Sequence, residues 1–137
     1  MNLPEIIHRY FKNRKEVVAV YLFGSHATGK EQPLSDVDIG VILHHRDLRH
    51  SFELQSQFIV ALGRQLRKDI HAVILNTAGE LFLKQVFKKG ICVCTNDDNE
   101  LKRFKMIRFS MISEFDYYLN ITQAGFRRKI MEGHSLG

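Results

Sequence analysis

Tyr21-Leu22-Phe23-Gly24-Ser25, followed after ten intervening residues by Asp36-Val37-Asp38-Ile39-Gly40-Val41, decides how this chain is read. Val17 to Phe23 is an unbroken β-branched and aromatic run, the pattern of a buried strand, and it stops at Gly24-Ser25. A glycine there allows close backbone approach. A serine opening a short helix offers free N–H groups and a hydroxyl, a cradle for phosphate oxygens. In the second half, alternation along a strand sends Asp36 and Asp38 to one face, roughly 6–7 Å apart. Like charges so placed repel unless cations lie between them. Two carboxylates at this spacing suit divalent ions that assist in-line displacement at phosphorus. Val37, Ile39, Val41 and Leu43 fill the other face and anchor the strand.

Working outward, Leu3, Ile6, Ile7, Tyr10 and Phe11 keep helical spacing over residues 3–14, with Pro4 suited to a first turn. The polar stretch 26–35 is a short helix or loop. A helix is expected over 47–67, a third strand from Asp69 to Leu75, and a helix from Thr77 to Lys88 closed by Gly90. Ile91 to Cys94 forms a fourth strand. Asp97-Asp98-Asn99-Glu100 then starts a long C-terminal helix over about 98–122. The order predicts an α/β (α+β) domain with about four strands. No repeat or Gly/Ser/Pro-rich linker divides the chain, so residues 1–137 read as one domain with its core at 17–95.

With 137 residues, 45% apolar and 26% charged, the chain can bury a core, which excludes disordered and collagen-like classes. No run of about 18 apolar residues exists to span a membrane. The charged N-terminus lacks the apolar stretch of a signal peptide. Cys92 and Cys94 are too few and too close to staple a fold, and without spaced partners they make no zinc set; core cysteines in a reducing, cytoplasmic setting are expected. The net charge of +5 is local: residues 101–137 carry 7 Lys/Arg against 3 Asp/Glu. That alone is weak ground for direct nucleic-acid binding. Leu101, Phe104, Ile107, Met111, Phe115 and Tyr118 form one stripe of the last helix, and Met106, Phe109, Ile112 and Leu119 widen it. A helix apolar on two sides is expected to meet a partner as well as the core.

Tyr21-Leu22-Phe23-Gly24-Ser25-His26-Ala27-Thr28-Gly29 with Ser35-Asp36-Val37-Asp38-Ile39-Gly40-Val41 resembles the DNA polymerase β-type nucleotidyltransferase superfamily, in particular its minimal, single-domain members. The resemblance covers at least residues 17–95, and Leu75-Asn76-Thr77-Ala78 is similar to those proteins' closing segment. It implies the nucleotidyltransferase fold, a small mixed β-sheet flanked by helices, and an antitoxin paired with a helical HEPN ribonuclease toxin. The implied reaction is Mg²⁺-dependent transfer of AMP from ATP to a hydroxyl of that toxin, typically a tyrosine. By the same resemblance Gly24 and Ser25 hold the triphosphate, and Asp36 and Asp38 are catalytic metal ligands.

The family also places a third carboxylate at the start of the third strand. Counted from the strand start, Asp69 is the natural candidate; counted back from Leu75-Asn76, His71 takes the position. Both lie on one face by alternation. His44, His45, Arg46, Arg49 and His50 follow the carboxylate-bearing strand and either line an acceptor path or form a solvated loop. Ser35 is placed to orient Asp36, and Lys30 to touch phosphate. Two rival functions remain at this level. One is a weakly active or inactive antitoxin acting by direct binding. The other is a nucleotidyltransferase for a small molecule such as an aminoglycoside, which usually needs an added substrate domain.

Overall fold

The computed structural model describes residues 2–30 and 35–110. Helix α1 (Leu3–Phe11) starts at Asn2, whose side chain accepts the Glu5 N–H at 3.0 Å, with Pro4 in the first turn. Four strands follow: β1 (Val17–Phe23), β2 (Val37–Leu43), β3 (Ile70–Ile74) and β4 (Ile91–Thr95). They form one sheet in the order β3-β2-β1-β4. β1 is antiparallel to both neighbours, whereas β2 and β3 run parallel. A parallel pair needs a crossover, supplied by a 3₁₀ turn (His45–His50) and helix α3 (Ser51–Leu66). The expected α/β order and mixed sheet are therefore present.

The two faces of the sheet bury different clusters. Ile7, Phe11, Phe58 and Leu62 of α1 and α3 cover Val20, Leu22, Val37, Ile39, Val41 and Ile70. On the other face, Leu83 and Val86 of α4 (Glu80–Lys89) and Leu101 pack with Tyr21, Ile42 and Leu75. Because β2 alternates, Asp38, Gly40 and Ile42 share this second face. Leu75 closes over Gly40, leaving no room for a Cβ there. The carboxylates lie towards the start of the strand, Asp38 partly buried and Asp36 exposed.

Several boundaries differ from the periodicity reading. The helix expected from Thr77 begins at Glu80, because Leu75–Thr77 close a 3₁₀ turn first. Gly90 does not take the left-handed cap conformation: its φ is −79°. It is glycine for space, since a Cβ there would collide with the Val86 carbonyl oxygen and stand 3.2 Å from that of Leu22. The cysteines are not both in the core. An extra residue in β4 shifts its register opposite Val20 and Tyr21, so Cys94 pairs with Val20 and is buried, while Cys92 pairs with Tyr21 and is exposed.

The last helix, α5, is described over residues 98–110 and is capped by Asp97, which accepts the Glu100 N–H at 3.1 Å. Its inward stripe runs through Leu101, Phe104 and Arg108, not Ile107, which is 52% exposed. The guanidinium of Arg108 donates to the carbonyls of Asn76 and Ala78 and to the Glu80 carboxylate, tying α5 to the turn before α4. Met111, Ile112, Phe115, Tyr118 and Leu119 lie outside the described residues. No described helix is long and apolar enough to cross a membrane.

Candidate active site

The site is built on the ends of β1 and β2. Phe23, the last residue of β1, is the antiparallel partner of Asp38. The next residue, Gly24, turns with φ 72° and ψ −153°, a conformation only glycine takes without strain. A Cβ on Gly24 would overlap the Asp38 carboxylate oxygen Oδ2 and lie 3.1 Å from its Cγ. The sequence pair Gly24…Asp38 is therefore one contact. Helix α2 (Ser25–Thr28) follows and is closed by Gly29 in the left-handed region, φ 72°. Thr28 Oγ1 donates back to the Gly24 carbonyl at 3.3 Å, and His26 Nε2 donates to the Ser35 carbonyl at 3.3 Å. His26 thus pins α2 to the residue before Asp36. The sequence reading assigned it no role, and its place directly after Gly24-Ser25 was the available signal.

Asp36 is exposed just before β2, and the Asp38 side chain retains 24% of its surface. The parallel β2–β3 register pairs Val37 with Ile70 and Asp38 with His71. His71 Nδ1 stands 3.3 Å from Asp38 Oδ1, with the imidazole 77% exposed. Asp69 precedes β3 and contributes its backbone, its carbonyl accepting the Val37 N–H at 2.9 Å. It also lines a cavity at the end of α3 with Arg64, Arg67 and Lys68, and neither Asp36 nor Asp38 reaches that lining. Of the two positions between which the sequence count was divided, His71 is the one in contact with Asp38.

Among the described residues, no three His, Cys, Asp or Glu side chains converge tightly enough to hold a metal by themselves. Asp36 and Asp38 carry carboxylate oxygens of the kind Mg²⁺ would take, an ion that uses one or two carboxylates and completes its octahedron with water and phosphate oxygens. The absent Gly24 side chain leaves the Asp38 carboxylate its space against the turn after β1.

Other sequence candidates fall elsewhere. The His44–His50 cluster follows the far end of β2, about 20 Å from Asp38 at roughly 3.3 Å per residue, so it cannot line the carboxylate site. There His44 faces Asp97 at 3.6 Å, and Arg46 engages Asp47 and the Lys15 carbonyl. Lys30 is exposed, and its N–H closes α2 on the Ser25 carbonyl. Beside Gly24, sequence reasoning missed a largely apolar cavity of about 290 Å³ walled by Phe23, Thr28, Phe82, Gln85 and Lys89. The Phe23 and Phe82 rings meet edge-on there, 5.4 Å apart. Phe82 belongs to a helix far along the chain, so only packing reveals the cavity.

Comparison with known proteins bears on the family and the fold. Residues 5–99 match the sequence model described as polymerase beta, nucleotidyltransferase. No curated protein matches. Among solved structures, a toxin–antitoxin crystallised with AMP-PNP is 24% identical over 96% of this chain and 99% of its own, with a TM-score of 0.63. A tri-AMPylated Shewanella oneidensis HEPN toxin in complex with MNT antitoxin gives 20% identity, 94% and 99% coverage, and a TM-score of 0.56. The toxin–antitoxin MntA–HepT gives 23%, 93% and 94%, and 0.54. At these identities the likeness establishes the shared fold.

Proposed function

This chain belongs to the polymerase beta nucleotidyltransferase family, and from that premise we propose that it is an antitoxin transferring AMP from ATP to a hydroxyl of a HEPN-type toxin. The observation that carries the reading is the seating of the Asp38 carboxylate against Gly24, two residues after the exposed Asp36. Carboxylates for a cation and a backbone cradle for phosphate meet at one open edge. The fold it shares with an AMP-PNP-bound toxin–antitoxin and with an antitoxin complexed to an AMPylated toxin supports the choice of nucleotide and partner.

In this reading the N–H groups at the start of α2 and the Ser25 hydroxyl grip the triphosphate. The Phe23–Phe82 cavity offers an apolar seat for the base. Mg²⁺, when bound, neutralises the leaving pyrophosphate and polarises the α-phosphorus. Asp36 and Asp38 hold that charge in place and orient the α-phosphate for in-line attack. The acceptor oxygen bonds to phosphorus as the bond to pyrophosphate breaks, and its proton passes to a base on the β3 side, where His71 stands against Asp38.

The test is transfer of α-labelled ATP, with Mg²⁺, onto the protein encoded beside this one. Label on that protein, absent with Asp36→Asn/Asp38→Asn, is the expected result. No label from a complex that still forms would overturn the enzymatic reading. A second reading, neutralisation by binding alone, is favoured by Met106 and Ile107, which leave 75% and 52% of their surface exposed on α5. It predicts that the double Asn variant still protects and that Met106→Glu/Ile107→Glu does not.

A further inference from the structure

Helix α3 ends in a concentration of positive charge that the proposed reaction does not use. A cavity of about 540 Å³ there is walled by Ile59 and Ile70 and edged by Arg64, Arg67 and Lys68, beside the single carboxylate of Asp69. Among the described residues, no ion pair or hydrogen bond occupies the guanidinium of Arg64 or of Arg67. Arg67 also sits where a helix ordinarily carries glycine or asparagine: it caps α3 at φ 55° and ψ 43°, in the left-handed region. An arginine kept at a strained backbone position points to a use for its side chain. A second, largely apolar cavity of about 510 Å³ runs alongside, between Tyr10 of α1 and Gln57 and Ala61 of α3. Val60, 51% exposed, and Arg64 line both cavities, so the two form one groove, apolar at one end and cationic at the other. The cationic end adjoins the candidate active site. Asp69 stands two residues before His71, roughly 6–7 Å along the chain, and its carbonyl holds the N–H of Val37, the residue between Asp36 and Asp38.

We propose that this groove docks an acidic segment of the acceptor protein, its carboxylates against Arg64, Arg67 and Lys68 and an apolar side chain against Tyr10 and Val60. A hydroxyl next to that segment is thereby presented at the Asp38–His71 edge. The proposal rests on the reading of this chain as one that transfers a nucleotide to a protein. Three cations beside one carboxylate repel a basic partner and attract an acidic one before contact, which governs association rate and orientation. The apolar half of the groove fits a protein segment better than a nucleic acid, whose contacts are mostly to phosphate and sugar. Arg64 and Arg67 therefore act on which protein is modified and take no part at phosphorus.

The experiment is a calorimetric titration of the full chain with the protein encoded beside it, at low and at high ionic strength, with a non-hydrolysable ATP analogue titrated as the control. Arg64→Glu/Arg67→Glu should weaken the complex about tenfold or more at low salt and by less at high salt, with affinity for the ATP analogue unchanged. Arg67→Gly relieves the backbone and guards against a folding artefact. It should hold or raise the urea midpoint while weakening the complex about threefold or more. A stable Arg67→Gly protein that binds as tightly as the wild type, together with an unchanged double variant, would overturn the proposal and leave the nucleotidyltransferase reading standing. Binding of a single-stranded RNA that depends on these arginines, with the protein complex unaffected, would overturn it in favour of a nucleic-acid site. A wild type that neither binds the neighbouring protein nor labels it from α-labelled ATP would overturn both.

Discussion

The α-carbon of Gly24 faces the carboxylate of Asp38 so closely that one added methyl group would overlap Oδ2 and stand 3.1 Å from Cγ. The turn after β1 and the carboxylate-bearing strand β2 are thereby a single interlocked unit. A side chain at residue 24 must push Asp38 off its position or move the turn.

Gly24→Ala should accordingly abolish nucleotidyl transfer in the label assay while the chain stays folded. The positive φ adds strain of about 1–3 kcal/mol, so urea denaturation should show a lower midpoint. Wild-type transfer by Gly24→Ala would show that Asp38 does not need this seat.

Gly40 lies one step further along the same face, where a Cβ would stand 2.8–2.9 Å from the Leu75 side chain. Leu75 is fully buried and cannot swing away. Gly40→Ala should cost about 1–3 kcal/mol by overpacking. Combined with Leu75→Ala, the loss should be less than the sum of the single changes by about 0.5–3 kcal/mol. Strict additivity in a denaturation cycle would refute the contact.

Arg108 leaves only 12% of its side chain to solvent and spends its guanidinium on the turn before α4 and on Glu80, 3.2 Å away. Arg108→Met keeps the stem and removes the charge. It should cost about 1.5–3 kcal/mol, the range for hydrogen bonds to charged groups. Amide exchange should rise over residues 76–80 and along α5 before it rises in the sheet. Uniform loss of protection would count against α5 being tied at this point.

Tyr21 carries a buried hydroxyl with no hydrogen-bond partner, and burial raises its pKa, with the neighbouring Cys92 thiol acting in the same direction. The fold thus favours the neutral phenol. Above pH ~10 the unfolded chain ionises first, so the folded state binds more protons and stability falls as pH rises. Tyr21→Phe should remove that alkaline component and add about 1 kcal/mol at neutral pH, by relieving an unpaired polar group. Parallel denaturation curves of the two proteins from pH 7 to pH 11 would contradict it.

Much of this protein was legible from residue order. The apolar runs of β1 and β2, the break at Gly24-Ser25 and the two-residue period joining Asp36 to Asp38 are local properties. Local sterics and alternation act on them wherever the chain folds. The helix start at Asp97 was likewise written in short-range capping chemistry.

What only the tertiary structure decided are relationships between segments far apart in the chain. The sheet order β3-β2-β1-β4 places His71 on Asp38. One extra residue in β4 separates Cys92 from Cys94. Gly90 is glycine because two carbonyl oxygens approach it, and α5 turns Arg108 inward where the stripe pointed to Ile107. Each of these depends on strand register and on which helix covers which face. Packing of both sheet faces sets them together, and no window of sequence holds the two partners at once.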